Sequence, residues 1–236
     1  MLNKNIREND SVEQYDDPES DRGRLDKTLI VRTPFLRDKA YERSYSRYPH
    51  AKLLSTKFNL DSLLSPSSLN DLYDICDSLE YTYEFGRGTH WLGEQGLDYQ
   101  YTNTSHIAQG WHNKEIEKLT SIIRQFTEQH DFCSDDKQLY NHLLINQYLP
   151  KQKLNMHKDN EPELIGPIAS LTLGASSVFS YGTTKAIRKS DKKTLGHGDI
   201  MIGTRGFFNT YFHSVAAPIV TEQYPVRYNF TWRTIK

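Results

Sequence analysis

Cysteine, long apolar runs and an excess of either charge are all scarce in this sequence. The 236 residues include two cysteines, Cys76 and Cys133, without CxxC spacing, which excludes a disulfide scaffold and a cysteine-based zinc site. No run of about 18 apolar residues is present, so we expect no membrane span. The first residues lack the apolar segment of a signal peptide, and we expect an intracellular protein, cytoplasmic or nuclear.

The formal net charge is only −1, from 29 Lys and Arg against 30 Asp and Glu. A strongly basic surface is therefore excluded, and any nucleic-acid binding must come from a local patch. Aromatic residues are plentiful instead, with 15 Tyr, 10 Phe and 3 Trp, and each can bury a large area in a core. Nothing in the sequence requires more than a monomer.

The chain divides into a charged start and one folded domain. Residues 1–27 carry few large apolar groups and are predicted to be a disordered or loosely packed arm, followed by a single domain over 28–236. Spacings of three and four predict one helix from Ser67 to Leu79 and a second one capped by Asn113 and extending to Phe126. Strands are predicted at Leu143–Tyr148, Ile168–Leu173, Ser177–Tyr181, Asp199–Ile202, Asn209–Phe212 and Arg227–Thr234.

Helices first and regularly spaced strands later indicate an α+β, mainly β fold. We predict a jelly roll with the N-terminal helices packed on one sheet and a core over residues 138–236. Tyr81–Phe85 alternates like a strand, and Gly86-Arg87-Gly88 is predicted to break it. His90–Tyr101 is predicted to be an aromatic, glycine-rich loop or short hairpin.

His157-Lys158-Asp159 places an imidazole and a carboxylate two positions apart. On or beside a strand, such side chains point to the same side, so both groups can reach one ion. Two histidines and one carboxylate form the ligand set that holds non-haem Fe(II) and leaves positions open. The same pair also occurs by chance on solvated loops, so its meaning depends on a third ligand.

Two later histidines are candidates for that third ligand. His197 lies in Gly196-His197-Gly198-Asp199, where a turn with a solvent-facing imidazole is expected. His213 follows Tyr211-Phe212, where a buried structural role is the alternative, and its spacing from the final arginine segment favours it as the ligand. The remaining histidines are predicted to be ordinary surface groups: His50, His90, His106, His112, His130 and His142.

The segment from Arg227 to Arg233 alternates polar and aromatic residues. On a strand, Arg227, Asn229, Thr231 and Arg233 share one face, and an entirely aromatic opposite face is unusual for a solvated surface strand. The two arginine Cα atoms would lie roughly 20 Å apart, so their side chains must converge to hold both ends of a small dicarboxylate. Asn146 and Tyr148 alternate in the same way and are candidates for neutral hydrogen bonds to that ligand. The pattern indicates an Fe(II)/2-oxoglutarate dioxygenase.

Together these segments resemble the AlkB family of Fe(II)/2-oxoglutarate dioxygenases, which remove alkyl groups from nucleic-acid bases. The similarity covers roughly residues 139–234, with a weaker match at Gly93–Tyr101. The matching segments are Asn146-x-Tyr148, Leu154–Asp159 (LNMHKD), Pro167–Gly174 (PIASLTLG), Gly196–Asp199, Phe212-His213 and the closing RYNFTWR of Arg227–Arg233.

The resemblance implies a double-stranded β-helix, the jelly roll expected above, and a role for each motif. It implies that Fe(II) is bound by His157, Asp159 and His213. It implies that 2-oxoglutarate is bound at its distal carboxylate by Arg227, Tyr148 and Asn229, and at its metal-chelating end by Arg233 and Asn146. His197 is not a ligand in the family, which agrees with the spacing argument.

The activity implied by the resemblance is oxidative demethylation of bases such as 1-methyladenine and 3-methylcytosine, as in DNA repair. O2 is the second co-substrate, and formaldehyde, succinate and CO2 are the products. A base must be flipped or unpaired to reach a buried iron, and Trp91, Tyr99 and Tyr101 either stack on it or close the mouth of the jelly roll. The basic stretch that contains Lys185, Arg188 and Lys189 either follows phosphates or is a solvated loop.

Two alternatives remain open at the level of sequence. The same chemistry serves other targets, such as an internal RNA methyl mark, a protein side chain or a small molecule. A domain that keeps the fold without turnover, as a binding module, is the second alternative, although every expected metal and co-substrate residue is present.

Overall fold

The computed structural model describes residues 27–32, 40–45, 52–57, 66–84, 86–101, 104–108, 110–130, 132, 139–186 and 190–236. The predicted arm lies outside these residues except for Lys27, where the first strand begins. The helices are α1 (Pro66–Ser78), α2 (Lys114–Gln129) and α3 (Arg205–Thr210). The strands are β1 (Lys27–Arg32), β2 (Ala40–Tyr45), β3 (Lys52–Lys57), β4 (Thr82–Glu84), β5 (Arg87–Gly93), β6 (Asp98–Tyr101), β7 (Thr104–Ile107), β8 (His142–Tyr148), β9 (Leu154–His157), β10 (Leu164–Gly174), β11 (Ser177–Gly182), β12 (Asp191–Leu195), β13 (Asp199–Gly203), β14 (Phe212–Val215) and β15 (Arg227–Ile235).

Two antiparallel sheets form the body of the described part of the chain. The larger has nine strands in the order β1-β2-β3-β13-β10-β15-β8-β5-β4, and the smaller has four in the order β12-β11-β14-β9. Strands β6 and β7 form a separate two-stranded sheet. The mainly β, α+β architecture predicted from the sequence is thereby confirmed.

Both predicted helices are present and pack on the nine-stranded sheet. Asn113 caps α2, because its side-chain oxygen accepts hydrogen bonds from the backbone N–H groups of Glu115 and Ile116. The apolar faces of α1 and α2 share one core cluster with the aromatic residues of β15: Leu69, Leu72, Cys76, Ile116, Leu119, Ile123, Phe126, Tyr228, Phe230 and Trp232. Among the described residues, none of the helices has the length and apolar character that a membrane crossing requires.

Strand β15 lies in the middle of the larger sheet, between β10 and β8. All nine of its residues are buried, so the solvated-strand explanation of its alternation is wrong. Its aromatic residues face the helices, and its polar residues face a cavity between the two sheets. Side chains of the second core cluster, including Phe179, Met201 and Val215, pack around that cavity from the other sheet.

The predicted strand at Asn209–Phe212 is wrong in its position. Residues Arg205–Thr210 form helix α3, capped by the Thr204 hydroxyl, and the strand begins only at Phe212. A short helical turn lets the adjacent rings of Phe207 and Phe208 both become buried, whereas a strand would direct them to opposite faces. The pattern of the sequence missed this because the helix has only six residues.

The segment predicted to be a break and loop after Phe85 is largely strand. Arg87 begins β5, which pairs with β8, and Trp91 lies within that strand. Gly88 marks a close approach of two strands: a Cβ atom there would lie 3.1 Å from the Cβ atom of Tyr81 and 3.2 Å from that of Gln147. Glycine therefore serves strand packing at Gly88, although its presence in the sequence predicted a break.

Candidate active site

Strand pairing in the smaller sheet brings the candidate metal ligands together. His157 ends β9 and is the register partner of His213 on β14, with ring centroids 4.2 Å apart. Asp159 follows two residues after His157 and is buried. Its carboxylate oxygens lie 3.7 Å from Nε2 of His157 and 3.5 Å from Nε2 of His213. All three ligand atoms lie within 4.8 Å of one another, so one ion can contact all of them.

The hydrogen bonds of this cluster leave its imidazole nitrogens available to a metal. Nδ1 of His157 lies 2.8 Å from the carbonyl oxygen of Asn155, which can only accept, so Nδ1 donates and Nε2 keeps its lone pair. Burial and the neighbouring His213 lower the pKa of His157 to about 4 against the opposing effect of Asp159, so the ring is neutral near pH 7. Two imidazoles, that of His157 in its neutral form, and a carboxylate match the donor set of a non-haem Fe(II) centre.

Asp159 is ionised at neutral pH despite its burial. Burial would raise its pKa, but Arg233, His213 and His157 together hold the pKa well below its usual range. Nη2 of Arg233 lies 3.5 Å from Oδ1 of Asp159. Arg205 of α3 donates hydrogen bonds to the backbone carbonyl oxygens of Asp159 and Glu161, which fixes the loop that carries the carboxylate.

Arg227 lies at the other end of the polar face of β15. Its Nη2 donates to the Thr172 hydroxyl at 3.0 Å, and its guanidinium carbon lies 5.2 Å from the centroid of the Tyr148 ring. Nε and Nη1 are buried and have no hydrogen-bond partner among the described residues. Burial lowers the pKa of Arg227 to about 10, which still leaves it charged at neutral pH. A buried cation with unused donors fits an anionic ligand in the cavity.

The two predicted amide residues are already partly committed within the sheet. Asn229 donates through Nδ2 to the Ser170 hydroxyl at 2.7 Å and accepts through Oδ1 from the Thr231 hydroxyl at 3.0 Å. Asn146 accepts through Oδ1 from Nε of Arg87 at 2.6 Å. Asn146, Asn229, Arg227 and Arg233 all line the same cavity as the three metal-ligand candidates.

The residues predicted to contact substrate fall into different environments. Trp91 is partly exposed, lines the cavity and stacks on His106 at a centroid distance of 4.3 Å. Tyr99 is fully buried, with its ring centroid 5.8 Å from the Arg233 guanidinium carbon, and it also lines the cavity. Tyr101 contributes backbone to β6, but its side chain lies outside the described residues, as do Arg188 and Lys189.

Lys185 is exposed, and a second lysine lies near it. Nζ of Lys185 is 5.5 Å from the centroid of the Phe212 ring, and Nζ of Lys158 is 4.6 Å from the same ring. Phe212 directly precedes the candidate ligand His213, and Lys158 lies between the other two candidate ligands. Two ammonium groups therefore lie beside a ring that is next to a candidate ligand in the chain, and the sequence had indicated only one of them.

Arg87 and two histidines were missed or misjudged at the level of sequence. His106 and His142, predicted to be surface groups, are buried, and both contact the Trp91 ring. Arg87 is buried in the cavity wall. Its alternation with Thr89 and Trp91 at period two was the available signal, but Gly86 and Gly88 obscured it.

Comparison with known proteins agrees with this geometry. The profile of the 2OG-Fe(II) oxygenase superfamily matches residues 74–233, which is more than half of the chain. The chain belongs to the 2OG-Fe(II) oxygenase superfamily. The match includes all three candidate metal ligands and the whole of α2, and it begins within α1. Fe(II) and 2-oxoglutarate are the metal and co-substrate of this oxygenase fold, as the motifs predicted.

Curated relatives of this oxygenase are named AlkB, which is the family that the sequence motifs indicated. The alpha-ketoglutarate-dependent dioxygenase AlkB of Salmonella typhimurium is 38% identical over 98 residues, which cover 38% of this chain and 43% of the relative. AlkB of Escherichia coli is 35% identical over 95 residues, with coverage of 38% and 43%. The matched region thus spans less than half the length of these relatives. The predicted AlkB resemblance is confirmed.

A solved structure supports the fold independently. The oxygenase resembles the structure of OsALKBH1 with a TM-score of 0.53 at 20% identity, over 81% of this chain and 99% of that chain. At this identity the likeness shows the fold alone. It agrees with the double-stranded β-helix that the resemblance to AlkB implied.

Proposed function

We propose that this oxygenase removes N-methyl groups from nucleic-acid bases with Fe(II), 2-oxoglutarate and O2. The observation that carries the proposal is the shared cavity: the cluster of His157, Asp159 and His213 and the buried, partly unsatisfied guanidinium of Arg227 line the same space. A metal ligand set and a site for a dicarboxylate are thereby supported at once.

The residues divide the work of binding between two ends of the cavity. Arg227, flanked by Thr172 and the Tyr148 ring, would bind the distal carboxylate of 2-oxoglutarate. Arg233 would remain beside Asp159, where it holds the carboxylate ionised and lies near the chelating end of the co-substrate. Asn229 would support the site indirectly, by hydrogen bonds within the sheet, because its amide group is already hydrogen-bonded to the hydroxyls of Ser170 and Thr231.

Bound iron and 2-oxoglutarate would supply the oxidation: the oxo acid is decarboxylated to succinate and CO2, one oxygen atom of O2 enters succinate, and the other enters the N-methyl carbon, which leaves as formaldehyde. The side chains of this oxygenase orient the reactants and exclude water. Trp91 lines the cavity and offers an aromatic surface to a flipped base. Lys158 and Lys185, near Phe212, would contact the phosphates on either side of that base.

Mass spectrometry of a panel of oligonucleotides tests the proposal. DNA and RNA oligonucleotides with 1-methyladenine, 3-methylcytosine or no methyl group are incubated with the oxygenase, Fe(II), 2-oxoglutarate and ascorbate. We expect the loss of one methyl mass, with an equal amount of succinate, from a methylated member only. Asp159→Ala serves as the matched inactive protein, since it removes the carboxylate ligand and leaves the cavity wall in place.

Two other outcomes would contradict the proposal, and each would favour a different function. Succinate without a loss of mass from any oligonucleotide would move the substrate to another RNA methyl mark, a protein side chain or a small molecule. No succinate at all, with folded protein and bound metal, would indicate a binding module that retains the fold.

A further inference from the structure

Arg87 is a third guanidinium group in the wall of the cavity. Its side chain is 3% exposed, and it lines the same space as Arg227 and Arg233. Nε donates to Oδ1 of Asn146 at 2.6 Å, and Nη1 is buried without a hydrogen-bond partner among the described residues. Nothing in the assignment of iron ligands or of the arginines on β15 uses this residue.

The charges around the cavity are unbalanced without a ligand. Three guanidinium groups line it, and the carboxylate among its lining residues is Asp159, which is near Arg233. Arg87 and Arg227 form no ion pair within the part of the chain that the structure describes. Burying a cation without a counter-charge is unfavourable, so both groups favour a ligand with more than one negative charge. A dianion such as 2-oxoglutarate has that charge.

The hydrogen bond from Arg87 to Asn146 also fixes the orientation of the Asn146 amide group. Because Nε of Arg87 occupies the carbonyl oxygen Oδ1, the amide of Asn146 is held with its Nδ2 group as the remaining donor. That donor is only weakly engaged, at 3.5 Å from the backbone oxygen of Asn229. Without Arg87 the amide is free to rotate and to present its oxygen, which would repel a carboxylate.

We propose that Arg87 is a positioning and binding residue for 2-oxoglutarate: its Nε fixes the amide of Asn146 as a donor, and its Nη1 donates directly to a co-substrate carboxylate. The inference rests on the proposed 2-oxoglutarate site, and it adds a residue from β5 to a site otherwise built from β8, β10 and β15. It is independent of the identity of the methylated substrate, because no nucleic acid takes part in this interaction.

Calorimetric titration of 2-oxoglutarate into the Mn(II)-loaded, anaerobic protein tests the inference without turnover. We expect Arg87→Met to raise the Kd for 2-oxoglutarate about 10-fold to 100-fold, since hydrogen bonds to charged groups are the stronger class. Arg87→Lys keeps the charge but not the planar geometry and should give an intermediate Kd. Arg124→Met is the matched control: Arg124 bonds the carbonyl oxygens of Leu139 and Tyr140, does not line the cavity, and should leave the Kd within about twofold.

Three further readings separate binding from a general effect on structure. The KM for 2-oxoglutarate should rise in Arg87→Met while kcat for succinate formation at saturating co-substrate stays within about threefold. The Kd for Mn(II) should not change. In a double-mutant cycle with Asn146→Ala, the combined effect on the 2-oxoglutarate Kd should be smaller than the product of the single effects.

An unchanged 2-oxoglutarate Kd in folded Arg87→Met overturns the inference. If Arg87→Met does not fold, a wild-type Kd in Arg87→Lys overturns it instead. Failure of the wild-type protein to bind 2-oxoglutarate would overturn the proposed function as well, whereas binding by the wild type with no effect of either variant overturns the role of Arg87 alone.

Discussion

At the scale of single residues, the protein prepares three donor atoms before any metal binds. The Asn155 carbonyl fixes the tautomer of His157, and Arg233 holds Asp159 ionised at a distance of 3.5 Å. A buried carboxylate and two imidazoles bring three electron-pair donors together within reach of one ion. The same arrangement therefore favours a divalent metal.

Removing one of these ligands should abolish metal binding and leave the fold intact. For His157→Ala or Asp159→Ala we expect the affinity for Mn(II) to fall by more than about 100-fold, since even the hydrogen-bond partners of metal ligands change affinity by about 10–100-fold. Succinate formation should be lost with it. Titration followed by electron paramagnetic resonance measures the free metal. His112→Ala, at an exposed position, should match the wild type, and retained metal affinity in Asp159→Ala would refute the ligand assignment.

His142 makes the stability of the metal-free protein depend on pH. Burial, Arg233 and His106 lower its pKa from 6.5 to about 3, so the unfolded chain takes up a proton at a higher pH than the folded one. Stability is thus expected to fall by up to about 1.4 kcal/mol per pH unit as the pH decreases from about 6 to about 4. Urea denaturation at several pH values measures this slope.

A leucine at position 142 should reduce that slope, because it cannot titrate, and His157, whose pKa is also lowered, should account for part of the slope that remains. His112→Leu removes an exposed histidine and should leave the slope as in the wild type. Equal slopes for the wild type and His142→Leu between pH 6 and pH 4 would show that the buried imidazole does not cause the effect.

At the scale of elements, a buried hydrogen bond ties α2 to β15. Nε1 of Trp232 donates to the Thr120 hydroxyl at 2.9 Å, and both groups are buried beneath the helix. The strand that holds the two arginines is thus positioned from behind by a helix, while its polar face remains on the cavity. A rigid back face keeps the guanidinium groups in place for a ligand.

Thr120→Val should weaken this contact with little change in volume. The variant leaves the indole N–H of Trp232 buried and unsatisfied, and we expect a loss of about 1–3 kcal/mol in the free energy of unfolding. Ser121→Ala removes the neighbouring exposed hydroxyl of the same helix and should change it by less than about 0.5 kcal/mol. Urea denaturation compares the two, and equal stabilities would mean that the hydrogen bond contributes nothing net.

At the scale of the whole molecule, a net charge of −1 leaves no general attraction for nucleic acid. The proposed binding of nucleic acid must then depend on local groups, and Lys158 and Lys185 flank Phe212, which precedes the candidate ligand His213. Only a few phosphates would be neutralised by such a patch. We therefore expect a shallow dependence of oligonucleotide affinity on salt concentration.

The double variant Lys158→Gln and Lys185→Gln should weaken oligonucleotide binding and reduce the slope of log K against log salt concentration by about 2, one for each lysine. Fluorescence anisotropy with a labelled oligonucleotide at several salt concentrations gives both values. Lys114→Gln with Lys118→Gln changes the same charge on the exposed side of α2 and should preserve the slope. If only the control pair changes the slope of log K against log salt concentration, the two lysines beside Phe212 do not belong to the binding surface.

Much of the fold was predictable because its signals are local. Helix α2 follows from apolar spacing and from Asn113 at its start, and β15 follows from strict alternation. Helix α3 and strand β5 were not predictable in the same way. The first is too short to show a helical period, and the second contains a glycine needed for close strand approach, although the sequence indicates a break there.

The sequence alone determined which chemistry the chain can carry: two histidines and a carboxylate, and arginines and amides at period two, because ligand type and side-chain direction along one strand are local properties. Only the tertiary structure decided which of these groups meet. Register pairing of β9 with β14 brings His157 to His213, and pairing of β5 with β8 brings Arg87 to Asn146, although 59 positions separate the latter two. Burial of Arg87 and His142, neither of which the local pattern marked, likewise depends on the packing of distant elements.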